Sequence, residues 1–371
     1  MNVTVIRAGF LATVQDLGRT GYRQFGVSSG GALDLHAMRI ANLLVGNDET
    51  AAGLEITQRD VRLRFEDERI ISWCGGVYKA SVALRSIPAG HSTLVSAGDE
   101  LSISGPQQGC RGWLAISGGI AVPPVLGSRS TDLRGNFGGL GGRALRDGDI
   151  VPLGKNSERT NVWIDNLRAE RIAQWSAPQP WSQTATANPV LRVVRGAEWN
   201  SFNDVTLQRV TSEAFAVSPD SDRMGVRLAG PELRRTDDVA EPGEARQLFQ
   251  ERLRARSSEP NRKSWTTQPI EPIGCPSGRK RLDLVSEAVA PGTIQVPPSG
   301  MPILLLGDCQ TIGGYPKIAQ VITVDLSVAA QLCAGDHVRF SEVSIADAHG
   351  LLLQRERELE RFRIGLSLHD S

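Results

Sequence analysis

The chain has 371 residues, of which 40% are hydrophobic and 22% are charged, a balance typical of a globular protein with two or three domains. Lys plus Arg and Asp plus Glu both number 41, so the formal net charge is zero, whereas a dedicated nucleic-acid-binding protein needs a basic excess to neutralise phosphates. Apolar runs stay short of the ~18 residues that a membrane helix requires, and the N-terminal segment lacks the apolar core of a signal peptide. We therefore expect a cytoplasmic protein that binds neither nucleic acid nor membranes.

The cysteines and histidines give no sign of a metal site. The five cysteines, at positions 74, 110, 275, 309 and 333, are far apart and form no CxxC pair. The five histidines, at positions 36, 91, 337, 349 and 369, show no spacing typical of metal ligands. A reduced protein without structural zinc is the simplest interpretation.

Short β-branched runs dominate the chain and predict a mainly β fold. In order they are VTVI, DVRLRF, RIISW, ELSIS, WLAIS, VLRVV, PILLL, VITVDL and HVRF. Gly, Pro, Asn and Asp separate these runs, a spacing typical of barrels and sandwiches.

Few segments predict helices. The clearest spans 35–45, with Asp34 as N-cap and Gly46 after its last turn. A second short helix is expected at about 326–334, capped by Asp325 and ended by Gly335. The C-terminal IADAHGLLLQRERELERFR predicts a charged surface helix, although Gly350 weakens its start.

A repeated Gly-Asp pattern indicates either a recurring β-turn or two related β domains. AGDELSI, DGDIVPL and AGDHVRF each place Gly-Asp before a strand, near the end of each half. The segment 176–189, rich in Pro, Ser and Thr, is the expected seam. We expect an N-terminal β domain at 1–180, a C-terminal barrel at 190–345, and a helix with a tail at 346–371. A charged, strand-poor stretch at about 235–282 is expected to be a surface insertion.

Two motifs match known patterns without the context that these patterns need. GVSSG places Ser28 at the nucleophile position of G-x-S-x-G, but the predicted helix starts six residues later, in a β-rich chain. GLGGRA leads into a turn and a strand rather than a helix, so the dinucleotide-binding geometry is missing. The sequence contains no G-x-x-x-x-G-K-[ST] motif for ATP.

Two glycine-rich segments carry candidate binding residues. TVQDLGRTG places Gln15, Asp16 and Arg19 around Gly18, where an arginine can offer a bidentate fork to a carboxylate or phosphate. An Asp–Arg pair that braces a tight loop explains this pattern equally well. The second set, Arg143, Asp222 and Arg223, lies near glycines in GNFGGLGGR and SDRMGVRLAG. The first of these runs lets backbone N–H groups approach a ligand, or else forms a surface loop.

The densest polar cluster follows the apolar strand ILLLGD, which delivers Asp308 at its end. Gln310, Thr311, Gly313, Gly314, Tyr315 and Lys317 come next, before the strand AQVITVDL. We expect Gly313 and Gly314 to turn the chain, so that this loop presents its side chains at a barrel rim. Lys317 is a candidate cation, or a base if burial lowers its pKa.

These blocks together resemble the KipA family, also called allophanate hydrolase subunit 2 or the carboxyltransferase subdomain A/B family. The resemblance covers nearly the whole chain and rests on the segments TVQDLGRTGYRQFGVSSGGALD, ANLLVGNDETAAGLEIT, SRSTDLRGNFGGLGGRALRDGD, SDRMGVRLAGPEL, SEAVAPGTIQVPPSGMPILLLGDCQTIGGYPKIAQVITVDL and LCAGDHVRF. It implies two cyclophilin-like β-barrel domains. The sequence departs from the family pattern at Arg234–Val285, where about fifty residues intervene between two of these blocks. These residues put any partner-docking surface there in doubt.

The resemblance also implies an activity and partners. Members act with a KipI-like subunit and, in many bacteria, a LamB/YcsF-like subunit as an ATP-dependent 5-oxoprolinase that opens 5-oxoproline to glutamate. A similar pair in urea amidolyase moves a carboxyl group from carboxybiotin to urea. The third alternative is a non-enzymatic regulator that binds a KipI-like kinase inhibitor. No Met-Lys dipeptide is present for biotin attachment, so ATP or carboxybiotin would come through partner subunits.

Both chemistries need acceptors for amide N–H groups and donors for a carbonyl oxygen or a developing enolate. We therefore expect Asp308 to accept from the substrate and Arg19, Tyr315 and Lys317 to donate to it. The expected substrate-binding residues are Gln15, Asp16, Arg143, Asp222, Arg223, Gln310, Thr311, Gly313 and Gly314.

Overall fold

The computed structural model describes residues 1–236 and 285–369. The predicted insertion at about 235–282 therefore lies outside the described residues, apart from its first two positions.

The first half of the chain forms a ten-stranded antiparallel sheet. Its strands are β1 (Asn2–Arg7), β2 (Leu11–Gln15), β3 (Gly53–Thr57), β4 (Val61–Phe65), β5 (Arg69–Val82), β6 (Arg85–Ile87), β7 (His91–Val95), β8 (Glu100–Ile116), β9 (Ile150–Pro152) and β10 (Ile172–Ser176). The main path runs β10-β7-β5-β8-β4-β1-β9, with β3 and β2 added beside β8 and β6 beside β5. In β4 the side chains alternate between buried and exposed, because successive residues of a strand face opposite sides.

The second half forms a closed barrel from seven of its strands. The strands after β10 are β11 (Val190–Arg195), β12 (Phe215–Val217), β13 (Gly225–Ala229), β14 (Glu287–Ala288), β15 (Thr293–Gln295), β16 (Ile303–Leu305), β17 (Ile312–Gly313), β18 (Lys317–Val321) and β19 (His337–Glu342). The barrel order is β11-β18-β15-β16-β13-β12-β19, and a parallel β19–β11 pair closes it. The short strands β14 and β17 pair with each other outside the barrel.

The prediction of a mainly β fold with two β units is confirmed. The structure differs from the expected pair of barrels in one respect: the second unit is a closed barrel, whereas the first is an open sheet. Each predicted Gly-Asp pair lies in a turn directly before a strand, namely β8, β9 or β19. We propose 176–189 as the boundary, because β10 ends at Ser176 and β11 begins at Val190. The domain limits at 1–180, 190–345 and 346–371 remain proposals.

The helices of the described segments lie mainly outside the two β units. They are α1 (Leu35–Leu44), α2 (Glu158–Leu167), α3 (Gln179–Ser182), α4 (Asp204–Ser212), α5 (Leu326–Ala329) and α6 (Ile345–Ser367), with 3₁₀ turns at Arg23–Phe25, Trp199–Ser201 and Thr323–Asp325. Within the described segments, none of the helices combines the length and the apolar character that crossing a membrane requires.

The predicted helices are present, with two differences. Asp34 caps α1 by accepting a hydrogen bond from the Ala37 N–H at 2.9 Å. Asp325 does not cap α5, since its carboxylate binds the Arg192 guanidinium, with Nη2–Oδ1 at 2.5 Å. The α-helical turn there ends at Ala329 and not at 334. Gly350 does not interrupt α6, which Ser344 caps through the Asp347 N–H at 3.0 Å.

Candidate active site

A buried ion-pair network joins the open sheet to the barrel. Arg223 precedes β13 and Asp308 follows β16, and because these strands pair antiparallel, the two residues lie side by side. The Arg223 guanidinium binds Asp308 through two hydrogen bonds, Nε–Oδ2 at 2.8 Å and Nη2–Oδ1 at 3.1 Å. It also donates to the Glu55 carboxylate on β3 and to the Gly31 carbonyl oxygen. Only 5% of the Arg223 side chain is exposed, so its geometry is fixed by these partners.

Asp308 is the acidic end of this network. Burial raises the pKa of Asp308, the charge of Arg223 opposes the shift, and the nearby charges of Glu55 and Asp132 add to it. The carboxylate is therefore an acceptor whose ionised form depends on Arg223.

Arg19 is a buried cation beside the same network. Its guanidinium lies 4.6 Å from the centre of the Phe137 ring, and its Nη2 donates to the Ser130 carbonyl oxygen. Burial lowers the pKa of Arg19, while the charges of Asp132, Asp16 and Asp308 oppose that shift. Nε and Nη1 are buried and have no hydrogen-bond partner among the described residues. Buried donors without a partner are costly, so these two nitrogens are candidates to bind a ligand.

Gly30 separates Arg19 from Asp308. A Cβ atom at this position would lie 3.3 Å from Arg19 Nη1 and 3.9 Å from Asp308 Oδ1. The glycine, with a left-handed φ of 61°, therefore leaves the space between a donor and an acceptor free of side-chain atoms. A carbonyl oxygen and an N–H on one planar group would be chemically complementary to this donor and this acceptor.

Asp16 acts as a clamp for the loop that holds Arg19. Its Oδ1 accepts from Ser128 Oγ at 2.5 Å, from Ser130 Oγ at 2.6 Å and from the Gly18 N–H at 2.8 Å. Its Oδ2 accepts from the Arg129 N–H at 2.5 Å. Because four donors already bind its two oxygens, Asp16 positions the 128–130 loop instead of contacting a ligand, whereas each oxygen of Asp308 accepts one hydrogen bond from Arg223.

Asp132 and Ser28 complete the wall near Arg19. Ser28 Oγ donates to Asp132 Oδ2 at 3.1 Å, and Asp132 Oδ1 accepts from the N–H groups of Arg134 and Gly135 at 3.0 and 2.8 Å. The serine set aside as a nucleophile therefore lies at the site, but a carboxylate holds it and no histidine is bonded to it among the described residues. An Asp–Ser pair of this kind can orient a polar substrate.

The Lys317 side chain binds carboxylates other than Asp308. Lys317 Nζ lies 2.5 Å from Glu287 Oε2 and 3.5 Å from Glu198 Oε1. Burial opposes its charge, but the hydrogen bond to Glu287 and the charge of Glu198 outweigh burial and raise the pKa of Lys317. The condition for Lys317 to act as a base, a pKa lowered by burial, is therefore not met. Tyr315 is 43% exposed, and its carbonyl oxygen accepts from Gln295 Nε2 at 3.2 Å.

The residues between Asp308 and Tyr315 form a braced edge. Gln310 Nε2 donates to Gln295 Oε1 at 3.1 Å, and the carbonyl oxygen of buried Thr311 accepts from the Val289 N–H at 3.1 Å. Gly313 belongs to β17, and neither Gly313 nor Gly314 has a left-handed φ. Gly313 therefore lies in a strand rather than in the predicted glycine turn, and the chain bends at Tyr315.

Three further candidates hold local structure. Arg143 forms a two-point ion pair with Asp149 at 2.7 and 2.9 Å. Asp222 is exposed and accepts from the Met224 and Gly225 N–H groups at 2.8 and 3.3 Å, which fixes the turn before β13. Gln15 is fully buried, and its Nε2 donates to Thr13 Oγ1 at 3.0 Å and to a carbonyl oxygen at 3.3 Å. Its Oε1 has no hydrogen-bond partner among the described residues.

The sequence pointed to Arg19, Arg223 and Asp308 but missed their neighbours. The missed residues are Glu55, Ser128, Ser130, Asp132 and Phe137. Glu55 is an acid inside the apolar strand GLEIT, and the others lie in the block SRSTDLRGNF. A charged residue on a buried strand is unusual, and this signal could have identified Glu55 from the sequence. Across residues 1–236 and 285–369, no three His, Cys, Asp or Glu side chains are grouped as metal ligands.

Comparison with known proteins identifies the family. Residues 25–342 match the family described as carboxyltransferase domain, subdomain A and B. The chain belongs to this family. The resemblance seen in the sequence blocks is thus confirmed over most of the chain.

Two curated members cover nearly the full length. The chain is 35% identical to the C subunit of 5-oxoprolinase from Escherichia coli (strain K12) over 357 residues, 96% of each chain. It is 31% identical to the 5-oxoprolinase C subunit of Haemophilus influenzae over 352 residues, 95% of this chain and 94% of the relative. The crystal structure of the K. lactis urea amidolyase superposes with a TM-score of 0.78 at 28% identity, over 97% of this chain and 20% of that enzyme.

Proposed function

We propose that this chain is the C subunit of an ATP-dependent 5-oxoprolinase, which opens 5-oxoproline to glutamate in the cytoplasm. The observation that carries the proposal is the 35% identity to the C subunit of a 5-oxoprolinase over 96% of both chains. The chain acts with a KipI-like and a LamB/YcsF-like subunit and is inactive without them.

The site supports this activity chemically. The lactam of 5-oxoproline carries a carbonyl oxygen and an N–H on one planar group. Arg19, with unpaired Nε–H and Nη1–H donors, donates to the carbonyl oxygen and stabilises negative charge as it develops there. Asp308, on the other side of Gly30, accepts from the lactam N–H. Arg223 and Glu55 hold Asp308 in place, and Asp16 positions the loop that holds Arg19.

The chain depends on its partners for ATP or carboxybiotin. Its sequence contains neither a P-loop motif nor a Met-Lys dipeptide. The same donor and acceptor also fit a ureido group, which carries a carbonyl oxygen between two nitrogens. Arg19 and Asp308 would then bind the ureido oxygen and nitrogen, while carboxybiotin would supply the carboxyl group.

A carboxyltransferase half of a biotin-dependent urea carboxylase or allophanate hydrolase type of system is the second candidate. The superposition on the K. lactis urea amidolyase over 97% of this chain favours it. A third candidate, a non-enzymatic regulator that binds a KipI-like kinase inhibitor, needs docking but no intact Arg19–Asp308 pair.

The test is reconstitution. The chain is co-purified with the KipI-like and LamB/YcsF-like proteins of the same genome, and glutamate formed from 5-oxoproline is measured with and without ATP. We expect ATP-dependent glutamate from the full set and none when any subunit is left out. Carboxyl transfer from carboxybiotin to urea without 5-oxoproline cleavage would establish the second candidate. Tight binding of the KipI-like protein without either reaction would establish the third.

Site variants in the same assay test the residue roles. Arg19→Gln and Asp308→Asn should each lower kcat by about 10²–10³-fold, the loss typical of removing one preorganised polar contact to the reacting group. Arg143→Gln is the matched control, since Arg143 pairs only with Asp149 and a backbone carbonyl near the surface. Equal activity of all three variants would refute the site while leaving the reaction itself in place.

A further inference from the structure

Cys110 and Cys333 lie at a second joint between the sheet and the barrel. Cys110 is on β8, and Cys333 lies shortly before β19. The N–H groups of Cys110 and Arg111 both donate to Gln331 Oε1, at 3.1 and 3.0 Å. The Arg111 guanidinium donates to the Ala330 carbonyl oxygen. Strand β8 is therefore fixed against the segment that carries Cys333.

The two thiols contact each other across this joint. The Cys110 and Cys333 side chains lie close enough to influence each other's titration, and both cysteines are free thiols. Gln58 links them a second time, because its N–H donates to the Cys110 carbonyl oxygen at 3.1 Å and its Nε2 donates to Cys333 Sγ at 3.0 Å. Gln58 and Arg59 have left-handed φ values of 49° and 55°, so this amide is held by a strained turn.

The surroundings make the two thiols unlike. The hydrogen bond from Cys110 lowers the pKa of Cys333 to about 6, Gln58 acts in the same direction, and burial and the charge of Asp336 oppose them. The bond with Cys333 and burial raise the pKa of Cys110; Arg111 opposes that shift and Glu55 adds to it. Cys333 is half-buried, whereas Cys110 is only 6% exposed. Such a pair resembles a reactive thiolate beside a resolving thiol.

We propose that Cys110 and Cys333 form a reversible disulfide in response to peroxides, which cross-links the sheet to the barrel. The Cys333 thiolate attacks one oxygen of hydrogen peroxide, the O–O bond breaks, and hydroxide leaves, so that Cys333 becomes a sulfenic acid. The Cys110 sulfur then attacks the Cys333 sulfur while the Cys110 thiol proton passes to the departing hydroxyl; an S–S bond forms, the S–O bond breaks, and water leaves. The cysteines lose two electrons in total, and one peroxide is reduced to two waters. A dithiol reductant reverses the change.

The cross-link lies within reach of the candidate active site. Arg111 follows Cys110 on β8, and its Nε is 3.9 Å from Glu55 Oε1. Glu55 binds Arg223, which in turn holds Asp308. Oxidation at this joint therefore acts on the same strand pair that supports the site.

The test is site-resolved oxidation of the folded full-length chain. The protein is treated with a small excess of hydrogen peroxide, free thiols are alkylated, and the peptides are quantified by mass spectrometry before and after reduction. We expect a Cys110–Cys333 cross-linked peptide, the loss of both free thiols, and their recovery with dithiothreitol. Because a disulfide needs Cα atoms within about 7 Å, the cross-link also tests the geometry.

Variants separate the proposed chemistry from unspecific oxidation. Cys110→Ser should leave Cys333 trapped as a sulfenic acid that dimedone labels. Cys333→Ser should leave Cys110 unmodified, and Cys74→Ser, at a buried cysteine outside this joint, should still form the cross-link. In the wild type, the alkylation rate of Cys333 should level off above about pH 6. Oxidation of Cys333 to sulfinic acid without loss of the Cys110 thiol, or no faster oxidation of Cys333 than of Cys74, would overturn the proposal.

Discussion

At the scale of single residues, the charges of the site divide into those whose hydrogen bonds are complete and those with open donors. Asp16 has donors on both oxygens, and the Arg223 guanidinium is bound by two carboxylates and a backbone carbonyl. Arg19 differs, because two of its nitrogens are buried without a partner among the described residues. An unmet donor in a buried position is destabilising, so its retention is best explained by a ligand that completes it.

Residue identity alone did not separate these roles. Arg19, Asp308 and Lys317 were all proposed from glycine-rich or strand-end contexts, which the sequence shows directly. Lys317 differs from the other two only through Glu198 and Glu287, which are distant along the chain. Side-chain partners that far apart in the sequence are set by the fold, so the sequence could not distinguish a salt-bridged lysine from a base.

Lys317→Met tests this distinction. We expect kcat for 5-oxoproline cleavage to change by less than about threefold, since removing an ion-paired cation at a partly exposed position has small effects. The pH dependence of kcat should also stay the same, because Lys317, with its raised pKa, remains charged through the neutral range. Steady-state kinetics of the reconstituted complex between pH 6 and 9 measure both. A loss as large as that of Arg19→Gln would restore Lys317 to the catalytic centre.

At the scale of elements, hydrophobic periodicity predicted most strands and helix α1, but not how the strands pair. β-branched runs and an Asp34 cap are local signals. The pairing of β3 with the end of β8, Leu54 opposite Leu114 and Thr57 opposite Arg111, is a long-range choice set by the shared core. That pairing brings Glu55 into the site, which explains why Glu55 escaped notice.

The glycine-rich loop at 135–142 shows how an element can serve the site without touching a ligand. A Cβ atom on Gly138 would overlap with the Ser130 carbonyl oxygen and with Arg19 Nη2. Gly138 and Gly141 have nearly the same left-handed φ, 70° and 69°, but a Cβ atom on Gly141 meets nothing within 4 Å. The two positions therefore separate backbone strain from displacement of Arg19.

Gly138→Ala should lower kcat at least tenfold, whereas Gly141→Ala should leave it within about twofold of wild type. Both variants carry the same left-handed strain, of roughly 1–2 kcal/mol, so both should lose some thermal stability. Only Gly138→Ala moves the guanidinium that donates to the substrate. Equal kcat values for the two variants would show that the position of Arg19 is unimportant, and melting curves confirm that each variant is folded.

Asp34 at the start of α1 predicts a pH dependence of stability. Burial raises the pKa of Asp34, and hydrogen bonds from Thr184, Ala37, Gln331 and Ser327 oppose the shift without cancelling it. The folded state therefore binds the proton more tightly than the unfolded state, and the folding free energy weakens as pH rises from the unfolded pKa through the raised folded pKa. Each tenfold difference in proton affinity between the two states corresponds to about 1.4 kcal/mol.

Asp34→Asn removes this titration. We expect the difference in unfolding free energy between pH 5 and pH 8, measured by denaturant titration, to become smaller in the variant than in the wild type. Asp165→Asn, at a 68% exposed side chain, should leave the difference unchanged. If Asp34→Asn is less stable than the wild type by the same amount at both pH values, Asp34 contributes to stability only through its hydrogen bonds.

At the scale of the whole molecule, the site exists because two β units meet. Glu55 comes from the sheet, Arg223 and Asp308 come from the barrel, and Arg19 comes from the loop after β2. The sequence predicted two β units and a seam, and comparison with relatives confirmed the family. The sequence did not predict the site between the two β units, because Glu55 and Arg223 are 168 residues apart in the chain.

The Arg223 network should therefore hold the two units together as well as supporting Asp308. Arg223→Met leaves Asp308 without its cation and Glu55 with only the more distant Arg111, whose Nε is 3.9 Å away. Removing one partner of a buried ion pair typically costs about 3–5 kcal/mol. Arg195→Met is the control, since Arg195 pairs with Glu342 at the surface with 59% of its side chain exposed, where such a pair contributes at most about 1 kcal/mol. Denaturant unfolding at pH 7 measures both changes. Glu55→Leu added to Arg223→Met should recover part of the lost stability, because it removes one of the two carboxylates left without Arg223. A double variant that is less stable than Arg223→Met alone would mean that Glu55 stabilises the joint through contacts other than Arg223.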